Sequence, residues 1–244
     1  MVSQETYKVA WQRRHDINER ALFAYVRTKL AVETGAYIRS LEGRNPQTYH
    51  ITNHFNERWI MGILREAYTK FGLKQGQFLD EYQKKEEGDN FDEKWLLLLL
   101  LLFKDISYFY IILGIVNTIK QDIKRFVEDQ LDRGIPVAAI ITLLGLYLST
   151  KNIIRSQTIA RTEVTKIMNL ASQSWAESQK KVLTKKWIVI LDGKERPSHN
   201  AMASYPSIPL NEKFNVGGNL MSGPGDNSAP PSELVNCRCG LMFL

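Results

Sequence analysis

A mostly helical α+β protein is the fold class the sequence predicts, and three observations carry it. Thr6 to about Leu41 contains no proline and repeats apolar residues at roughly helical spacing. The stretch from Trp95 to Leu148 is dominated by apolar residues in runs too long for strands. From Arg196 to Pro231 the composition turns to Pro, Gly, Ser and Asn with short apolar runs, the pattern of loops and brief strands. Three regions follow: residues 1–94, N-terminal helices; residues 95–149, hydrophobic central helices; and residues 150–244, where one long helix packs on a loop-rich β element.

The first helix is expected over Thr6 to Leu41, with Val9, Ile17, Ala21, Ala24, Tyr25 and Ala31 as its apolar positions. At about 1.5 Å per residue it would be roughly 50 Å long, a length that suits a bundle or an assembly arm. "EGRNP" (Glu42 to Pro46) ends it. A second helix, about Thr48 to Phe71, carries Ile51, Phe55, Trp59, Ile63 and Tyr68, and a shorter one runs from Lys74 to Lys85.

"WLLLLLLLFKDISYFYIILGIV" (Trp95 to Val116) is long enough to cross a bilayer, but Lys104 and Asp105 interrupt it. Each would cost about 2.5–3.5 kcal/mol inside a membrane, so buried core helices are the expectation. After Asp105 the pattern becomes amphipathic through Ile106, Phe109, Leu113, Val116, Ile123, Phe126 and Val127. Gly134 and Pro136 close this helix and open "PVAAIITLLGLYLS", which is too short alone to span. A long helix then covers about Thr150 to Val182, and "KKWIVILDG" reads as a buried strand ending in a turn.

Hydrophobic residues make up 44% of the chain and charged ones 24%, which excludes wholesale disorder. The polar N-terminus shows no secretory pattern, and two cysteines cannot build a disulfide framework, so cytoplasmic synthesis is expected. Net charge is +6, and Lys151 to Lys186 alone hold eight basic residues against Glu163 and Glu177. On a helical wheel Ile153, Ala160, Val164, Ile167, Ala171, Trp175 and Val182 share one face. Lys151, Arg155, Lys166 and Lys180 lie opposite, with Thr162, Asn169 and Gln173 between. That stripe is either plain surface or a face for phosphates or acidic proteins. Arg161 and Glu163 flank the apolar face and are expected to pin neighbouring elements.

Asp192, Arg196 and His199 fall in one turn region and resemble an acid–base set, but no nucleophile or phosphate-binding loop accompanies them, so catalysis is not expected. Both cysteines, Cys237 and Cys239, lie in "VNCRC" near the end. In an extended segment they point to one side, with Arg238 opposite and free to pair with Asp192 or Glu163. Three readings stay open. They are small core residues holding the tail on the strand around Trp187; a strained disulfide; or half of a zinc site with His199, needing Asp192 or Asp226 as fourth ligand. No cofactor is expected.

"RSQTIARTEVTKIMN" (Arg155 to Asn169), "KKWIVILDGKERPSHNAM" (Lys185 to Met202), "IPLNEKF" (Ile208 to Phe214) and "MSGPGDNSAPPSELVNCRC" (Met221 to Cys239) occur in that order. Together they resemble the phage head morphogenesis family, minor head proteins similar to protein F of phage Mu. The resemblance covers about Gly134 to the end. It implies a non-enzymatic virion component in few copies, made in the host cytoplasm and held inside the capsid at the portal vertex. Its partners would be the portal protein, other head proteins and packaged double-stranded DNA, in assembly or genome delivery, with the N-terminal helices of residues 1–94 docking on the portal or another head protein. Many members carry Cys-x-x-Cys where this chain has "RPSH", so a metal role of those cysteines does not transfer. Two alternatives remain: a protein inserting residues 95–148 into a membrane during delivery, and a zinc-dependent DNA-processing enzyme.

Overall fold

The computed structural model describes residues 3–44, 54–83, 91–104, 106–179 and 184–244. Five long helices come first: α1 (Gln4–Ser40), α2 (Glu57–Gln83), α3 (Phe91–Leu102), α4 (Ile106–Asp132) and α5 (Val137–Ser178). The C-terminal part follows as β1 (Thr184–Ile188), α6 (Pro197–Asn200), β2 (Ile208–Pro209), β3 (Phe214–Val216), β4 (Asn219–Met221), α7 (Pro231–Leu234) and β5 (Gly240–Phe243). The expected class, mostly α with a small α+β end, is what forms.

Two expected helix breaks are absent. α2 runs unbroken through Gly72, where the indole of Trp95 from α3 seats against the helix. α5 runs unbroken through Ser149 and Thr150, because nothing there removes a backbone donor; their hydroxyls donate to the Gly145 and Leu146 carbonyls. At 42 residues, α5 is roughly 60 Å long and is the spine on which α1 and α2 lie. Its length also changes the membrane arithmetic. The apolar segment judged too short continues, so α5 is long and apolar enough to cross a bilayer by length and composition.

The buried side of α1 is Tyr7, Trp11, His15, Asn18, Leu22, Val26, Leu30, Thr34 and Tyr37. The positions expected from hydrophobicity lie elsewhere: Val9 and Ile17 are 59% and 50% exposed, and Ala21, Ala24 and Ala31 also face outward. Polar residues occupy the core line because α5 supplies partners for them. Asn152 Nδ2 donates to Thr34 Oγ1 at 2.8 Å, Asn18 Nδ2 to Met168 Sδ at 3.6 Å, and His15 Nε2 lies 2.9 Å from Thr165 Oγ1. On α4 the buried line is Tyr108, Ile112, Val116, Ile119, Ile123 and Val127, and Phe109 turns outward. The leucine run of α3 is only partly covered. Leu99 is buried beside Trp95, whereas Leu96, Leu97, Leu100 and Leu101 are exposed.

β1 is the centre of a three-stranded antiparallel sheet in the order β2-β1-β5, with Trp187 opposite Leu241 and Ile188 opposite Gly240. β3 and β4 form a separate hairpin. The sheet joins the helices directly. Gly240 faces Trp11 of α1, and a Cβ there would overlap the indole ring. Tyr7 Oη donates to the Leu241 carbonyl at 2.7 Å.

Two predictions follow from these joints. Gly240→Ala should lower stability by about 1–3 kcal/mol through overpacking, read as a lower urea midpoint with an unchanged slope; an unchanged midpoint would show that α1 does not close on the sheet. His15 supplies a pH test. Burial first, and the Arg238 and Arg161 charges after it, push its pKa from 6.5 to about 3. Glu19 stands 3.6 Å away, but it is already engaged by Arg161 and Arg238, so it does not hold a charged imidazole. The unfolded chain therefore takes up a proton below pH 6.5 that the folded chain refuses until about pH 3. Stability should fall with pH across that window, by about 2 kcal/mol at pH 5 from this group alone. His15→Gln, which can still donate to Thr165, should remove that component when denaturation is measured at pH 7.5 and 5; parallel losses in both proteins would refute it.

Candidate functional site

The tail from Val235 to Cys239 is irregular yet buried at both cysteines, so its backbone groups need partners. α5 supplies them. Asn236 sits at φ 61°, a left-handed conformation that Asn tolerates better than most residues. Its N–H donates to Thr162 Oγ1 at 3.0 Å. The Thr165 hydroxyl donates to the Cys237 carbonyl, and Asn169 Nδ2 donates to the Cys239 carbonyl at 3.0 Å. Steps of three and four residues place Thr162, Thr165 and Asn169 on one face of α5. Since the Thr165 hydroxyl gives its proton to Cys237, His15 must donate to it through Nε2, which ties α1 to the same point.

This clamp brings the two sulfurs together with His199. His199 lies in α6, which starts at Pro197, and its ring packs edge-on against Trp187 of β1 with centroids 5.5 Å apart. Nδ1 is 3.5 Å from Cys237 Sγ and 3.5 Å from Cys239 Sγ. All three side chains are buried, and the thiols are free. The two thiols shift in opposite directions: the hydrogen bond between them, with His199 adding, draws the Cys239 thiol down to about 5 against the pull of burial. The same hydrogen bond, with burial, drives Cys237 well up. On the far side of the imidazole, Glu233 Oε2 is 3.0 Å from Nε2, within ion-pair range though outside hydrogen-bond alignment. Ser198 Oγ donates to the same carboxylate oxygen at 2.9 Å.

Around the cluster each expected residue has a partner. Arg238 pairs with Asp192, the first of its two expected partners, and its Nε lies 4.0 Å from Glu19. Arg196 donates to the Val235 carbonyl. Asp192, Arg196 and His199 do line one cleft of about 490 Å³ with both cysteines, but Asp192 and Arg196 are held by these bonds and form no relay with the imidazole. Asp226, the other expected fourth ligand, is remote from the cluster and organises the "PGD" loop. It accepts from the Ser222 N–H at 2.6 Å and the Ser228 N–H at 2.9 Å. Burial opposes its ionisation, yet these bonds outweigh it and hold the carboxyl below its ordinary range. Gly225, at φ 85°, lies so close to Lys166 that a side chain there would collide with the α5 backbone.

The expected basic stripe is not a free surface. Lys166 is buried at 4% exposure and donates to Glu163 Oε1 at 3.2 Å. Arg155 pairs with Asp122 of α4 at 2.6 Å. Lys151 is half-buried with its Nζ over the Tyr147 ring, and Lys180 lies outside the described residues. The counter-charge of Lys166 lies on α5 itself, whereas that of Arg155 comes from α4, which a wheel drawn for one helix does not show. Arg161 reaches Glu19 of α1 at 3.0 Å, and Glu163 accepts from Tyr68 Oη of α2 at 2.7 Å. The sequence reading missed Thr165, Ser198 and Glu233. The spacing of Thr162, Thr165 and Asn169 was the visible signal for the first; nothing local marks the other two.

A family model described as phage Mu protein F like protein matches residues 121–242. No curated protein and no solved structure matches the chain.

Proposed function

The chain belongs to the phage Mu protein F-like family, and from that premise we propose that it is a minor head protein carried in the virion at the portal vertex. Its role in this reading is structural, in head assembly or genome delivery. The observation that carries it is the use of the family-like motifs as joints. The Arg161, Glu163, Asp192, Arg196 and Arg238 side chains each hold another part of the chain, Asp226 holds its own loop, and all six are engaged within the protein. Packaged double-stranded DNA is a further partner, reached through sequence-independent phosphate contacts favoured by the net charge of +6 and weakened by salt.

The docking surface in this proposal shifts from the N-terminal helices toward α3 and α5. Leu97, Leu100 and Leu101 are each at least 60% exposed, as are Leu146 and Ile154. Apolar side chains in such number favour a protein partner over solvent, and a head protein is the partner proposed. The same residues support a second reading, insertion into a membrane during delivery, because the most apolar window of α5 is only 22% buried.

One experiment separates the two. With a photo-crosslinking residue in place of Leu100, DNA-filled particles purified by density should contain the chain in few copies relative to portal protein. Illumination should join it to the portal or another head protein. Absence from particles rich in portal protein would overturn the proposal, and adducts with phospholipid alone during infection would favour the membrane reading.

A further inference from the structure

We propose that His199, Cys237 and Cys239 bind one zinc ion through two thiolates and one imidazole, leaving a fourth position that faces the adjoining cleft. The three donor atoms lie within 4.8 Å of one another. Zn–S bonds of about 2.3 Å and Zn–N bonds of about 2.0–2.1 Å at tetrahedral angles put nitrogen and sulfur about 3.5 Å apart. Nδ1 stands 3.5 Å from each sulfur, so both edges of the tetrahedron already have the right length.

Three further features match a metal centre. Glu233 Oε2 stands 3.0 Å from the outer nitrogen of His199, so its negative charge favours the ring proton on Nε2, which leaves the Nδ1 lone pair between the sulfurs. Ser198 holds that carboxylate by donating to the same oxygen. Two thiolates and a neutral imidazole balance the charge of a divalent ion, so a site this buried would hold no net charge. Soft sulfur donors with one imidazole select zinc over magnesium or calcium.

Among the described residues, no fourth ligand atom joins the three within 4.8 Å, although the Glu195 carboxylate lines the same cleft. Asp192 is taken by Arg238, and Asp226 serves its own loop. The fourth position is therefore a water or a small ligand entering from the cleft lined by Arg161, Arg196 and Arg238. A second acidic cluster, His15 with Asp16 and Glu19, carries no such case, because His15 Nε2 is committed to Thr165 and Glu19 to two arginines.

The competing accounts are a metal-free cluster of hydrogen-bonded thiols and a nucleophilic cysteine activated by His199. The full-length chain, reduced and stripped with a chelator, would be titrated with Co²⁺ and then with Zn²⁺. The proposal predicts a thiolate-to-cobalt charge-transfer band and tetrahedral ligand-field absorption. Both should saturate at one equivalent per chain and be bleached by Zn²⁺. Because the chain has just two cysteines, alkylation by iodoacetamide reports on this site alone, and Zn²⁺ should slow it at least about tenfold. Cys239→Ser and His199→Ala should lose the band. Should either variant fail to fold, the titration of the unaltered chain decides. No charge-transfer band with excess Co²⁺, or alkylation equally fast with and without Zn²⁺, would overturn the proposal. Fast selective alkylation of Cys239 that zinc does not slow would favour the nucleophile instead.

Discussion

The buried, irregular tail imposes the constraint on which the rest of the structure depends. A segment without helix or ladder bonds can enter a core only if its amides and carbonyls find partners, and each one left unpaired costs about 1–3 kcal/mol. Thr162, Thr165 and Asn169 supply those partners from one face of α5. Much else follows from that contact. It sets where Cys237 and Cys239 stand relative to His199, and it delivers the chain at Gly240 in register with β1. Trp11 and Tyr7 then close α1 over the strand. One face of one helix thus places the sheet, the thiol–imidazole cluster and the N-terminal helix together.

An adjacent face of the same helix handles charge. Glu163 and Lys166 are 2% and 4% exposed and face each other at 3.2 Å. Taking two ions out of water is costly, and their attraction alone seldom compensates. Here Tyr68 adds a hydrogen bond to the carboxylate. Burial, and then the neighbouring Glu163 charge, keep the Tyr68 and Tyr108 hydroxyls protonated far above their ordinary range, so they stay neutral beside the pair. A lysine so placed cannot serve as a surface cation. Part of the excess positive charge of this helix is met from outside it, by Asp122 of α4 against Arg155.

How much of this was legible follows from which forces are local. The class and the helix-rich order could be read because apolar periodicity and the Pro/Gly punctuation act within a few residues. The Arg238–Asp192 pairing was among the alternatives because alternation across an extended segment fixes which side Arg238 takes. The buried line of α1 was misread because His15, Asn18 and Thr34 are core residues only through partners on α5, more than a hundred residues away. In the stripe of Lys151, Arg155 and Lys166, Arg155 was misread for the same reason, since a wheel omits Asp122 of α4; Lys166 turned inward to Glu163 of its own helix. Glu233 and Ser198 gain meaning only when α6 and α7 meet around His199. That meeting is a tertiary event with no local trace.

Native-state hydrogen exchange followed residue by residue through increasing denaturant tests the central claim, that α5 and the tail form one cooperative unit. If the clamp holds the tail, the amides of Asn236 to Phe243 should open with those of Ala160 to Leu170 and share one free energy of opening. Rapid exchange of the tail while the middle of α5 stays protected would contradict this and make the tail a loosely applied cover.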